Sequence, residues 1–283
     1  MRGRGAGRIG KLRRMAAKRD GEGAAVRLMF AGKMLTFAGA FAVLLAGFAA
    51  SAADRPRAFL ELFTSQGCSS CPAADALLGS LENEDGVYAV TMPVKLWDFL
   101  GWTDTLATDT ATKRQMAYSV SRGDRDVFTP QMVVNGRKSV LGSDRDEIEE
   151  TVSRFASEPL PLPIDLSVSG GILTIDVGAA DIDIQQAELW LLIVDESTDV
   201  PVKGGENRGR KLTYHNVVRE MRPVGMWKGK PLRFDLPLSD VEKAPNAGCY
   251  VIAQVETFRG PGEVIGAAKL DRLFPARTVK AQR

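Results

Sequence analysis

No part of the chain constrains its fold as tightly as residues 58–81. Ala58–Thr64 (AFLELFT) is short, apolar and aromatic, the makings of a buried strand. Cys68-Ser69-Ser70-Cys71-Pro72 follows, and then Ala74, Leu77, Leu78 and Leu81 fall at i, i+3, i+4 and i+7, one apolar face of a helix. The cysteine pair therefore stands where a strand hands over to a helix. At such a junction the unpaired amides and the positive end of the helix dipole favour a thiolate. They can lower a cysteine pKa from ~8.5 into the range ~3.5–7.5. Pro72 suits the first helical turn, where its missing N–H costs nothing.

Gly86 ends the helix, and 87–94 (VYAVTMPV) reads as a second strand. Residues 95–108, with Trp97, Gly101 and Trp102, form an irregular insertion before a helix at about 109–121. Thr129-Pro130 leads into a strand at 131–134, an Asn135-Gly136 turn and a strand at 138–141, a strong hairpin signal. Ser143, with Asp146 or Glu147, caps a last helix whose inner face is Ile148, Thr151, Val152 and Phe155. The order β-α-β-α-β-β-α over residues 54–157 is that of an α/β thioredoxin-like domain, with a Cys-x-x-Cys after the first strand and a proline before the third.

Pro159, Pro161 and Pro163 stiffen a linker at 158–163. Beyond it lie apolar or alternating runs at 164–168, 172–177, 187–194, 212–218, 231–236, 249–257 and 263–270, separated by turn signals and without a long helix. They predict an all-β, immunoglobulin-like sandwich over 164–275, with a short tail at 276–283.

The charge is unevenly spread. Residues 1–33 hold ten of the 37 basic side chains and two of the 35 acidic ones, a local +8. Met34–Ala53 (MLTFAGAFAVLLAGFAASAA) carries no charge, so everything from Asp54 onward holds 27 basic and 33 acidic residues, a net of −6. A basic leader, an apolar run and small residues at Ala50-x-Ala52 and Ser51-x-Ala53 form the pattern of a cleaved signal peptide over 1–53. The expectation is export to the periplasm or the medium, with no membrane span after cleavage. A mature chain of net −6 has no electrostatic reason to bind nucleic acid. An oxidising compartment favours disulfides, yet there are three cysteines, Cys68, Cys71 and Cys249.

Three readings of the pair fit the sequence. It can exchange disulfides with a protein or small-molecule thiol partner, Cys68 attacking and Cys71 resolving. It can be a structural Cys68–Cys71 disulfide in a non-enzymatic binding or scaffold protein. It can carry Cu(I) on its two thiolates; a closed zinc site lacks ligands, since the chain has a single histidine. No cofactor is expected. Thr129 and Pro130 would face the cysteines if the fold is thioredoxin-like, with Pro130 in the cis form. Ser69, Ser70, Trp97 and Trp102, together with Asp98 and Asp104, would wall a substrate groove. Glu61, on the first strand, is either a buried proton acceptor beneath the pair or a solvated strand residue.

At LELFTSQGCSSCPAADALL, WDFLGWTDTLA, FTPQMVVNG and GENRGRKLTYHNVV, the chain resembles the exported bacterial proteins grouped as domain of unknown function 1223. The resemblance covers nearly all of the mature chain. It implies a thioredoxin-like domain followed by a β-rich region in Gram-negative bacteria, with Cys68, Cys71 and Pro130 matching the family's cysteines and proline. It supplies no established reaction. Where the family carries His-Val-Asp before Trp-Asp, this chain has Pro93-Val94-Lys95. Of the residues outside these blocks, His215 is expected to be a packed structural histidine. Cys249 is expected to be a buried thiol, and the basic run Lys203–Lys230 a solvated face or a contact for an anionic membrane face or an acidic partner.

Overall fold

β1 (Ala58–Thr64) is buried along its whole length and lies inside an eight-stranded mixed sheet. It pairs in parallel with β2 (Val87–Pro93) and antiparallel with β3 (Gln131–Val134), which pairs with β4 (Lys138–Leu141). Helices α1 (Cys71–Leu81), α2 (Asp109–Arg122) and α3 (Arg145–Phe155) complete the expected order, with a 3-10 helix at Lys95–Leu100 inside the irregular insertion. The computed structural model describes residues 55–155, 159–241 and 247–273. The signal peptide expected at 1–53 and the tail at 276–283 lie outside these residues.

Period-two alternation along β1 divides the core. Ala58, Leu60 and Leu62 join Leu77, Leu78 and Ile148 beneath α1 and α3. Phe59 and Phe63 join Val90, Met92 and Tyr118 on the α2 side.

The remaining strands are β5 (Ile164–Ser169), β6 (Ile172–Val177), β7 (Ala187–Pro201), β8 (Lys211–Trp227), β9 (Leu232–Pro237), β10 (Ala247–Thr257) and β11 (Gly260–Leu270). Each matches a run read from the sequence, but their arrangement differs from a self-contained immunoglobulin-like sandwich. Only β5, β6 and β9 form a small sheet of their own. The other four extend the large sheet in the order β11-β10-β7-β8-β2-β1-β3-β4, with β8 joining β2 in parallel at Thr91–Val217. The reason is that β7 and β10 are apolar on both faces. Leu189, Leu191, Ile193, Val251 and Ala253 pack under the small sheet. Leu192, Val194, Tyr250 and Ile252 pack with Phe59, Phe63 and Tyr118. A two-layer sandwich would leave that second face in water.

Candidate functional site

The turn from Ser65 to Cys71 joins β1 to α1, and almost every group that holds it comes from elsewhere in the chain. Within the turn, the Cys68 N–H donates to the Ser65 carbonyl (3.2 Å) and the Cys71 N–H to the Cys68 carbonyl (3.3 Å). The Gln66 N–H donates to Asp104 Oδ2 (2.7 Å), and Gln66 Oε1 accepts from Trp102 Nε1 (2.8 Å) and the Thr105 N–H (3.2 Å). From the loop between β7 and β8, Asn207 Nδ2 donates to the carbonyls of Gln66 (3.1 Å) and Cys68 (2.7 Å). In the same loop Glu206 Oε2 accepts from the Ser69 N–H (2.9 Å).

The two sulfurs occupy different surroundings. Cys68 Sγ lies 3.3 Å from Ser70 Oγ and 3.7 Å from the Thr129 carbonyl. The Thr129–Pro130 peptide is cis, and Trp97 Nε1 donates to Thr129 Oγ1 (2.6 Å), leaving that hydroxyl proton free to turn elsewhere. The Cys68 pKa is lowered to about 6, chiefly because the Cys71 thiol donates to its sulfur; burial opposes this, and the Ser70 and Thr129 hydroxyls reinforce it. Cys71 has no exposed surface. Burial pushes its thiol far up, and its bond to Cys68 and the Cys68 charge add to the effect. Both are free thiols here, so the expected Cys68–Cys71 disulfide is open in this structure.

One helical turn past Cys71, Asp75 is buried on the same side of α1. Thr64 Oγ1 donates to Asp75 Oδ1 (2.7 Å), while Asp75 Oδ2 is buried with no partner among the described residues. Burial holds this carboxyl well above the usual carboxylate range, against the Thr64 bond. The hydroxyl of Tyr214 on β8 is likewise buried and has no partner among the described residues. A groove of about 450 Å3, lined by Pro72, Asp75, Gly79, Arg210, Lys211 and His215 among others, reaches Asp75 between α1 and β8. Among the described residues no group of three or more His, Cys, Asp and Glu side chains is arranged to hold a metal ion.

A family model described as a protein of unknown function (DUF1223) matches residues 59–254. The chain belongs to the DUF1223 family. The crystal structure of a structural-genomics target from Agrobacterium tumefaciens is similar, with a TM-score of 0.69 and 35% identity over 76% of this chain and 94% of that one. An Archaeoglobus fulgidus protein named "Probable Thioredoxin" is 27% identical over 97 residues, 34% of this chain and 87% of its own length.

In this DUF1223 protein the site residues read from the sequence separate into two groups. Cys68, Cys71, Ser69, Ser70, Thr129, Pro130, Trp97 and Trp102 come together, although the tryptophans act by their indole N–H groups as braces of Thr129 and Gln66. Glu61 does not join them, and it is not solvated either. It follows Phe59 and Phe63 on the α2 face, where Arg114 Nε and Nη2 donate to its two oxygens (2.5 and 3.0 Å) and Tyr118 OH donates to Oε2 (2.5 Å). The wrong face of the strand rules it out as the acceptor beneath the pair.

Cys249 packs in the core under the small sheet, and burial pushes its thiol up to about 12. His215 is half-buried, 3.1 Å from Glu82 Oε1 through Nδ1. Pro93 occupies the last rung of β2 opposite Thr64, and Lys95 reaches Asp109 (2.7 Å) at the surface. In the basic run, Lys211, Arg219 and Arg222 pair with Asp199, Asp195 and Glu220. Asp75, Glu206 and Asn207 were not among the sequence candidates. Asp75 had a signal, since it lies at i+4 from Cys71 and next to the apolar Ala74. The other two depend on a pairing of distant strands.

Proposed function

We propose that this protein is an exported thiol–disulfide exchange protein of thioredoxin-like type, with Cys68 as nucleophile and Cys71 as resolving cysteine. The observation that carries this reading is the asymmetry of the pair. Both are buried, but Cys68 Sγ is surrounded by thiol and hydroxyl donors at the start of α1, while Cys71 is fully enclosed with a carboxyl, Asp75, one turn along. Likeness to a thioredoxin supports the fold of this part, and the basic leader with its apolar run supports export.

In the reaction the Cys68 thiolate attacks one sulfur of a partner disulfide. The partner S–S bond breaks, a mixed disulfide forms, and the first partner thiolate leaves and takes a proton from water. Cys71 gives its proton to the Asp75 carboxylate and attacks Cys68 Sγ. The mixed disulfide breaks, and the second partner thiolate leaves with the proton that Asp75 held. The partner gains two electrons and the cysteine pair closes; the reverse sequence oxidises a partner dithiol. A carboxyl whose pKa is raised by burial matches a thiol better than an exposed one does.

Alkylation of Cys68 by iodoacetamide, followed against pH, tests the reading. A midpoint near 6 and turnover of a small disulfide are expected. A midpoint near that of free cysteine with no exchange overturns it in favour of a binding or scaffold protein. Cys71→Ser then identifies the partner as a stable mixed disulfide.

A further inference from the structure

The Gly204–Arg210 segment supplies no group to that reaction, yet its contacts fall on the cysteine turn. It joins β7 to β8 and comes from the half of the chain that carries no thiol chemistry. Asn207 is buried, its amide donates to the Gln66 and Cys68 carbonyls, and its own Oδ1 accepts from Arg210 Nη1 (2.8 Å). Both amide hydrogens of that side chain are spent on the turn, and its oxygen is tied to Arg210 of its own segment. Glu206 is exposed, but its carboxylate is held on the Ser69 N–H, directly after Cys68. The backbone must come close for this to happen. A Cβ on Gly204 would lie 2.7 Å from the Gly101 carbonyl, and one on Gly205, at φ +68°, would lie 3.3 Å from Gly67 Cα. Only glycine admits that approach.

We propose that this segment is a working part of the cysteine site, with Asn207 and Glu206 as positioning residues that act on Cys68 in opposite senses. Asn207 locks the Cys68 carbonyl, and so keeps the sulfur against the Ser70 and Thr129 hydroxyls. Glu206 occupies an amide at the mouth of α1 with a negative charge, which opposes a second negative charge on the neighbouring sulfur. The pair of residues therefore sets how much thiolate Cys68 holds, one side chain raising it and the other lowering it. This inference rests on the exchange reading above and assigns its tuning to the C-terminal half.

The test compares the full chain with its Asn207→Ala and Glu206→Gln variants. Cys68 alkylation by iodoacetamide is measured from pH 4 to 9, alongside thermal melting. Alkylation at a pH below the midpoint follows the thiolate fraction, which falls tenfold for each pH unit the midpoint rises. Asn207→Ala is expected to slow it about tenfold at pH 5, and Glu206→Gln to quicken it roughly twofold, as an exposed charge allows. Opposite signs are the signature, because loss of folding would move both the same way. If Asn207→Ala melts too low to assay, Asn207→Ser and the exposed Glu206→Gln carry the comparison. Unchanged profiles in both variants, or shifts of one sign, overturn the proposal while a wild-type midpoint near 6 still supports exchange. A wild-type profile like that of free cysteine overturns the exchange reading itself, and this proposal with it.

Discussion

Glu61 and Asp75 are both buried carboxylates, one on the α2 face of the central sheet and the other on its α1 face. Glu61 sits in a closed network. Arg114 and Tyr118 satisfy both oxygens, Gln254 donates to Tyr118 OH (2.8 Å) and to the Gly262 carbonyl (2.8 Å), and Arg114 reaches back to Gln254 Oε1 (2.9 Å). Among the described residues Asp75 has one hydrogen bond, from Thr64, and a bare second oxygen. A fully satisfied polar network specifies packing, whereas an unsatisfied buried group is kept at a cost and points to chemistry. The first carboxylate fastens β1 and α2 to β10. The second waits beside a thiol.

The largest effect that separates the two faces is expected from Arg114→Met, which strands Glu61 as a buried unpaired charge. It should cost about 3–5 kcal/mol in urea unfolding, with the Cys68 alkylation profile of the folded fraction unchanged. A changed profile would show that the faces are coupled.

Asp75→Asn is expected to do the reverse. Closure of the mixed disulfide should slow about a hundredfold, the effect of removing one acid–base group. The first attack by Cys68 keeps its rate, so the mixed disulfide accumulates in stopped-flow traces. The stability effect has the opposite sign. Because folding raises the Asp75 pKa, its favourable contribution is complete below the unfolded carboxylate pKa and is lost as pH rises through the folded value. The wild type should therefore lose ground to Asp75→Asn as pH rises above the unfolded carboxylate pKa of about 4. Chemical unfolding at a series of pH values checks the crossing.

Ser70→Ala should slow Cys68 alkylation at pH 5 about threefold, since one hydroxyl leaves the sulfur. The smallest effect is expected from Cys249→Ala. It should leave exchange unchanged and cost about 1 kcal/mol of stability for the cavity; any loss of exchange would bring the third thiol into the site.

Much of this was legible before the structure. The alternation in AFLELFT, the helical spacing after Cys71, and Asn135-Gly136, whose φ values are +50° and +66°, each answer to a local rule. Local rules also mark where legibility stops. The cap of α3 is Asp144, whose Oδ1 accepts from the Glu147 N–H (2.9 Å), rather than the adjacent Ser143; either side chain suits the pattern. Spacing put Asp75 on the Cys71 face of its helix, but its burial came with the strand packed over it. For Glu61 the alternation was present, but the choice of face was made by Arg114, 53 residues away. In LWLLIV and CYVIAQV apolar residues run without alternation, which signals cover on both faces. That signal points to strands inside a larger sheet, and a sandwich needs alternation instead.

The bonds that finish the cysteine turn span 137–141 residues of sequence. Chain closure over that distance precedes any reward from the contacts it makes. The turn is therefore among the last parts of the molecule to be completed during synthesis. Until β7 and β8 have formed their hairpin, the turn lacks the bonds that Glu206 and Asn207 give it. Afterwards Cys68 keeps 3% of its surface. The strands that fasten the cysteine turn thus lie far downstream of the sulfurs they enclose.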